Sequence, residues 1–113
     1  MTRSDAMQIE FAIRENDLFF FFDGEMDHLS AVSARKTVDR LIDEHLYCDN
    51  VIFDLKDIRF MDSTGIGFLI GRYKKLKRLS VPLFLSNITP ATDKVLSLSG
   101  IYTLIPKYEG GTR

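Results

Sequence analysis

The chain has 113 residues, which suits one compact domain. Hydrophobic residues make up 45% and charged residues 27%, an ordinary globular composition, and a formal charge of -1 gives no global attraction to nucleic acid or anionic membrane. A single cysteine, Cys48, excludes an internal disulfide and any multi-cysteine metal site.

Met1 to Glu10 lacks an apolar h-region, so no signal peptide is expected. The longest strongly apolar run, Leu18 to Phe22, is far too short to span a membrane. The simplest location is the cytosol, with no direct membrane binding.

Gln8 to Arg14 alternates, with Ile9, Phe11 and Ile13 on one face, and predicts a half-buried strand. Asn16-Asp17 reads as a turn. The continuous apolar run Leu18 to Phe22, closed by Asp23-Gly24, predicts a second strand buried on both faces and paired with the first as a hairpin. After a polar stretch, Glu25 to Ser30, a helix is expected from about Ser30 to His45, with Ala34, Val38, Leu41, Ile42 and His45 as its apolar stripe. His45 has no second ligand at metal spacing and reads as a packed or half-exposed histidine. Val51 to Leu55 is a third strand, Ser63 to about Leu79 a second helix, and Val81 to Leu85 a fourth strand. Thr89-Pro90 opens a third helix that stops at Gly100. Tyr102 to Ile105 reads as a short last strand, and Gly110-Gly111 as a frayed tail. The order is that of an α/β domain. Its sheet should be mixed and mostly parallel, with four to five strands, an N-terminal antiparallel hairpin and about three packed helices.

The chemistry concentrates at the corner between the third strand and the second helix. Asp62 is placed to cap that helix, and Ser63 then falls in its first turn, where free N–H groups carry a partial positive charge. An anion built on that hydroxyl would be tolerated. On a helical projection Ile66, Leu69, Ile70, Tyr73 and Leu76 form a core stripe, leaving Thr64, Gly67, Phe68, Gly71 and Lys75 on the other side. Gly65, Gly67 and Gly71 each cost a helix about 1 kcal/mol relative to alanine. Close packing on the sheet is the bland explanation and fits Gly65. Docking of another surface on bare backbone fits Gly67 and Gly71, beside an exposed Phe68. Arg72, Lys74, Lys75, Lys77 and Arg78 complement the helix C-terminus, with a secondary contribution of Arg72 or Lys75 to a partner contact.

Enzymatic readings lack parts. Gly65-x-Gly67-x-x-x-Gly71 is not the dinucleotide fingerprint, and the following strand ends in Ser86-Asn87 without an acidic residue for a ribose. Ser63 is outside a G-x-S-x-G elbow, and His28 and His45 sit in unrelated contexts. Asp23, Asp27 and Asp62 are where strand ends and turns ordinarily place aspartate, so no metal, cofactor or catalytic role is expected.

Asp62-Ser63-Thr64-Gly65-Ile66-Gly67, preceded by Val51 to Leu55 and followed by Gly71-Arg72-Tyr73-Lys74, resembles the signature of anti-sigma factor antagonists of the STAS domain family. Gly24-Glu25-Met26-Asp27 resembles the family's segment before the first helix, and Asn87 to Gly100 its third-helix region. The match runs from about Gln8 to Ile105, so the whole of 1–113 is expected to be one STAS domain, similar to sporulation antagonists that control sigma-F. The resemblance implies a partner-switching regulator, not an enzyme. Its serine at position 63 would be phosphorylated by a cognate anti-sigma factor, a GHKL-type serine kinase, with Thr64 a minor alternative. The unphosphorylated form would bind that kinase and free the sigma factor, and a PP2C-type phosphatase would restore it. The surface expected to meet the partner is Asp23, Asp27, Asp62, Ser63, Thr64, Gly65, Gly67, Phe68, Gly71 and Arg72. The other reading is a STAS accessory subunit of a membrane transporter, docking by the same face without phosphorylation.

Overall fold

The computed structural model describes residues 7–109. Its elements run β1 (Gln8–Arg14), β2 (Asp17–Met26), α1 (His28–Asp43), β3 (Asn50–Met61), α2 (Ser63–Arg78), β4 (Leu83–Ser86) and α3 (Pro90–Ser99), followed by a short 3-10 turn, Ile101–Thr103. The sheet order is β1-β2-β3-β4. β1 and β2 pair antiparallel, and β2–β3 and β3–β4 pair parallel.

Alternation along the strands separates two faces. Leu18, Phe20 and Phe22 of β2, Val51, Phe53 and Leu55 of β3, and Leu83 and Leu85 of β4 face the helices and are fully buried. Ala34, Val38 and Ile42 of α1, Leu69 and Leu76 of α2, and Leu96 of α3 close over them into one apolar cluster. The opposite face has no helix on it among the described residues. There Phe19, Phe21 and Phe84 are half-buried. Arg14 lies over the Phe19 and Phe21 rings at 5.0 and 5.9 Å, and Tyr108 stands edge-on to Phe19. The five-residue apolar run of β2 is therefore sealed by helices on one side and only partly covered on the other.

Several boundaries move for local reasons. The hairpin turns at Glu15-Asn16, both at positive φ (51° and 73°), which matches the twist of the two strands. α1 begins two residues before Ser30 because Asp27, not Ser30, is its N-cap. Ser30 N–H donates to Asp27 Oδ1, and Asp27 N–H donates to Ser30 Oγ, a reciprocal capping box with Ser30 as third residue. β2 and β3 outrun their apolar segments. Two irregularities, at Phe21/Asp23 and Gly24/Glu25, let them stay paired as far as Met26 and Met61.

The expected fifth strand at Tyr102–Ile105 does not form. Ile101 and Ile105, four apart, are both buried, and Leu104 and Ile105 N–H groups donate to the Ile101 carbonyl, so the segment coils. The outer edge of β4 is closed by the residues just beyond. Leu85 N–H donates to the Pro106 carbonyl at 3.0 Å, and Tyr108 N–H donates to the Leu85 carbonyl at 2.7 Å. The tail at Gly110-Gly111 lies outside the described residues.

Candidate functional site

The parallel pairing of Met26 with Met61 brings the ends of β2 and β3 side by side, and α1 and α2 start within two residues of them. Two helix N-termini therefore open at the same end of the sheet. Each is capped by an aspartate. Asp27 caps α1, and Asp62 caps α2, its Oδ1 accepting from Thr64 N–H at 2.9 Å and Gly65 N–H at 3.2 Å. Ser63 is the first residue of α2 and is exposed. Its hydroxyl thus stands in solvent at the positive end of a 16-residue helix.

The three glycines of α2 divide as the residue pattern suggests. A Cβ on Gly65 would lie 2.6 Å from Met61 Cγ and 2.7 Å from the Met26 carbonyl oxygen. Only glycine lets α2 come so close to the strand ends. A Cβ on Gly67 or Gly71 would meet nothing within 4 Å, so those two positions are open surface. They line a groove of about 360 Å³ between α1 and α2, with Ala31, Val32, Arg35, Thr64, Phe68 and Arg72. Ser63 does not line the groove itself but directly precedes Thr64, which does.

Phe68 and Arg72 are not outward-facing as expected. Phe68 is only 5% exposed and packs edge-on to Phe22 and parallel to Phe53. Arg72 is only 7% exposed, its guanidinium over the Phe68 ring at 5.4 Å and its Nε 2.8 Å from Asp39 Oδ1 of α1. The Nε–H is not aimed along that line, so the contact is an ion pair without a directional hydrogen bond. Burial pulls the Arg72 guanidinium below its ordinary range, and Asp39 works against the shift. These two side chains form the floor of the groove. Only their edges reach the groove surface. Ile66, Ile70 and Tyr73, expected in the core, are half-buried at its margin.

Of the remaining expected residues, Asp27, Asp62, Thr64 and Gly65 gather at the two helix starts. Asp23 is held elsewhere, its Oδ1 2.7 Å from Arg59 Nη1 in an exposed ion pair. Sequence reasoning missed the apolar surface of this end. Leu29 is 81% exposed, and Val32 and Phe60 are also exposed. Leu29 and Val32 lie off the α1 core stripe, and that misplacement of apolar residues was the available signal. Among the described residues no cluster of histidine, cysteine or carboxylate is arranged to hold a metal, and no helix is long and apolar enough to cross a membrane.

A four-stranded sheet led by an antiparallel hairpin, three helices and an exposed serine at a capped strand-to-helix corner define a STAS-type domain. The chain belongs to the STAS domain family, whose model matches residues 8–110. It is similar to the anti-sigma F factor antagonist of Paenibacillus polymyxa, 29% identical over 103 residues that cover 91% of this chain and 87% of the relative. The anti-sigma F factor antagonist of Lysinibacillus sphaericus is 31% identical over 94 residues, 83% of this chain and 79% of the relative. Among solved structures, the anti-sigma factor antagonist SpoIIAA in its unphosphorylated form superposes with a TM-score of 0.73 at 25% identity, covering 93% of this chain and 90% of that one.

Proposed function

We propose that this protein is an anti-sigma factor antagonist whose partner is an anti-sigma serine kinase of the GHKL type, and that phosphorylation of Ser63 ends the association. The observation that carries the reading is the exposed Ser63 at the N-terminus of α2, next in sequence to a groove lined in part by the exposed Val32, with Leu29 exposed in the first turn of α1. Apolar surface around a modifiable hydroxyl is what a switchable interface needs: contact area to bind, and one point where charge can be added.

The physics of the switch is local. A phosphate adds about -1.5 to -2 charge at neutral pH. The helix N-terminus favours it by roughly 0.3–1 kcal/mol, while the Asp62 carboxylate next door opposes it. The two effects nearly cancel, so the fold stays as it is. A partner enclosing Ser63 would instead have to bury an unpaired dianion, which costs several kcal/mol. A loss of about 3–4 kcal/mol lowers affinity by roughly two to three decades. No rearrangement of the domain is required. A PP2C-type phosphatase acting in the same compartment, the cytosol, would return the protein to its binding form.

Incubation with the kinase and ATP is expected to add about 80 Da, one phosphate, to the peptide carrying Ser63. Ser63→Ala should bind the kinase and remain bound, and Ser63→Asp should bind poorly. Tight binding by the aspartate variant, or phosphate confined to another residue, overturns the proposal.

A further inference from the structure

The two edges of the sheet are treated differently. The outer edge of β4 is closed by Pro106 to Tyr108. The outer edge of β1 carries no partner among the described residues. Natural edge strands are ordinarily blunted by proline, a bulge, shortness or charge. β1 has only the last: its seven residues pair with β2 in one uninterrupted register, it contains no proline, and its two charges, Glu10 and Arg14, are of opposite sign. Its helix-side face is apolar yet uncovered, with Phe11 44% and Ile13 47% exposed. The exposed Leu46 and Tyr47 directly follow His45, whose ring lies 5.3 Å from that of Phe11, so the apolar strip continues past the strand.

The strand is also complementary to itself. Run antiparallel about a two-fold axis at Ala12, Phe11 of one copy meets Ile13 of the other, and Glu10 meets Arg14, twice over by symmetry. We propose that a second copy of this chain adds to the free edge of β1 in this register, joining two four-stranded sheets into one of eight. Opposed residues in an antiparallel pair share a face, so both apolar pairs lie on the helix side and both charge pairs on the other. Ala12 aligns across the sheet with Ile52, nine residues before Met61, so about 30 Å of strand separates the two-fold axis from the corner at Ser63. Pairing there leaves both corners open.

Sedimentation equilibrium of the full chain from micromolar to millimolar concentration tests this. A reversible monomer–dimer equilibrium is expected. Glu10→Arg sets a second guanidinium directly against Arg14 of the other copy and should raise the dissociation constant about tenfold or more. Arg14→Glu should do the same, and the doubly swapped chain should recover. Mixing the two single variants should give a heterodimer tighter than either homodimer. Arg14 also covers Phe19 and Phe21, so Ala12→Asp, which keeps Arg14 in place and alters only the residue opposite Phe19, is the second check: it places two carboxylates on the axis and should dissociate the dimer while circular dichroism stays unchanged. A chain that remains monomeric to the highest concentration, or a dimer that neither Glu10→Arg nor Ala12→Asp weakens, overturns the proposal.

Discussion

Gly65 and Gly67 are two residues apart on α2 and bare for opposite reasons. At Gly65 the interior has no room, since an added methyl would press on Met61 and on the Met26 carbonyl. Gly65→Ala should destabilise the fold by about 2 kcal/mol or more, because a backbone oxygen cannot step aside as a side chain can. At Gly67 there is only solvent. Gly67→Ala should therefore raise folding stability by about 0.5–1 kcal/mol, the helix preference of alanine over glycine, and, on the proposed function, should weaken binding of the partner by filling the contact surface. Urea unfolding and a binding titration on the same variants check both signs. A Gly67→Ala protein that is more stable and binds as well as the parent would show that no surface approaches that backbone.

Between elements, the Asp39–Arg72 pair fastens α1 to α2 along the groove. Asp39→Ala leaves a buried guanidinium without its counter-charge and should cost about 2–4 kcal/mol in thermal or denaturant unfolding. Arg72→Met in that background should recover most of the loss, because an apolar side chain of similar length needs no partner. This pair also explains what the sequence could not reveal. The core stripe Ile66–Leu69–Ile70–Tyr73–Leu76 suits a helix lying on a sheet alone. α2 also leans on α1, which draws Phe68 and Arg72 inward and leaves Ile66 and Ile70 at the margin. An arginine on a helical projection reads as solvent-facing, since its counter-charge lies 33 residues earlier on another helix. The caps were easier. Asp62 and Thr89 were legible because capping is local, whereas the Asp27 cap of α1 was not read and the helix starts two residues before the expected Ser30.

For the whole molecule, the closing of the C-terminal segment on α3 sets a dependence on pH. Tyr102 Oη–H donates to Asp93 Oδ1 at 2.6 Å, and Lys107 stands 3.4 Å from the same oxygen. Burial and the Asp93 hydrogen bond hold the Tyr102 phenol above its ordinary range. The neutral phenol is thus favoured by folding. Its contribution is complete below about pH 10, the unfolded value, and is lost as pH rises toward the folded one. The Tyr102 hydrogen bond and Lys107 hold the Asp93 carboxyl low, so its contribution is present above its unfolded value near 3.8 and fades as pH falls below that. Tyr102→Phe should flatten the alkaline fall in melting temperature, with little change near neutrality beyond the lost hydrogen bond. An alkaline limb identical to the parent's would place the titration elsewhere. The strand and helix order was legible because each element through α3 carries its own hydrophobic period. The last segment was not. Tyr102 to Ile105 is rich in strand-forming residues, yet the pair that must be buried, Ile101 and Ile105, is spaced for a coil.

One consequence of the α2 cap concerns erasure of the mark. Asp62 already occupies the amide hydrogens of Thr64 and Gly65, the donors a phosphoryl group on the neighbouring hydroxyl would otherwise claim. Such a group would be left largely hydrated, without a grip from its own chain. On the proposed function, a modification held so loosely would be open to hydrolysis by an attacking enzyme, and the residue that caps the helix would also keep the signal short-lived.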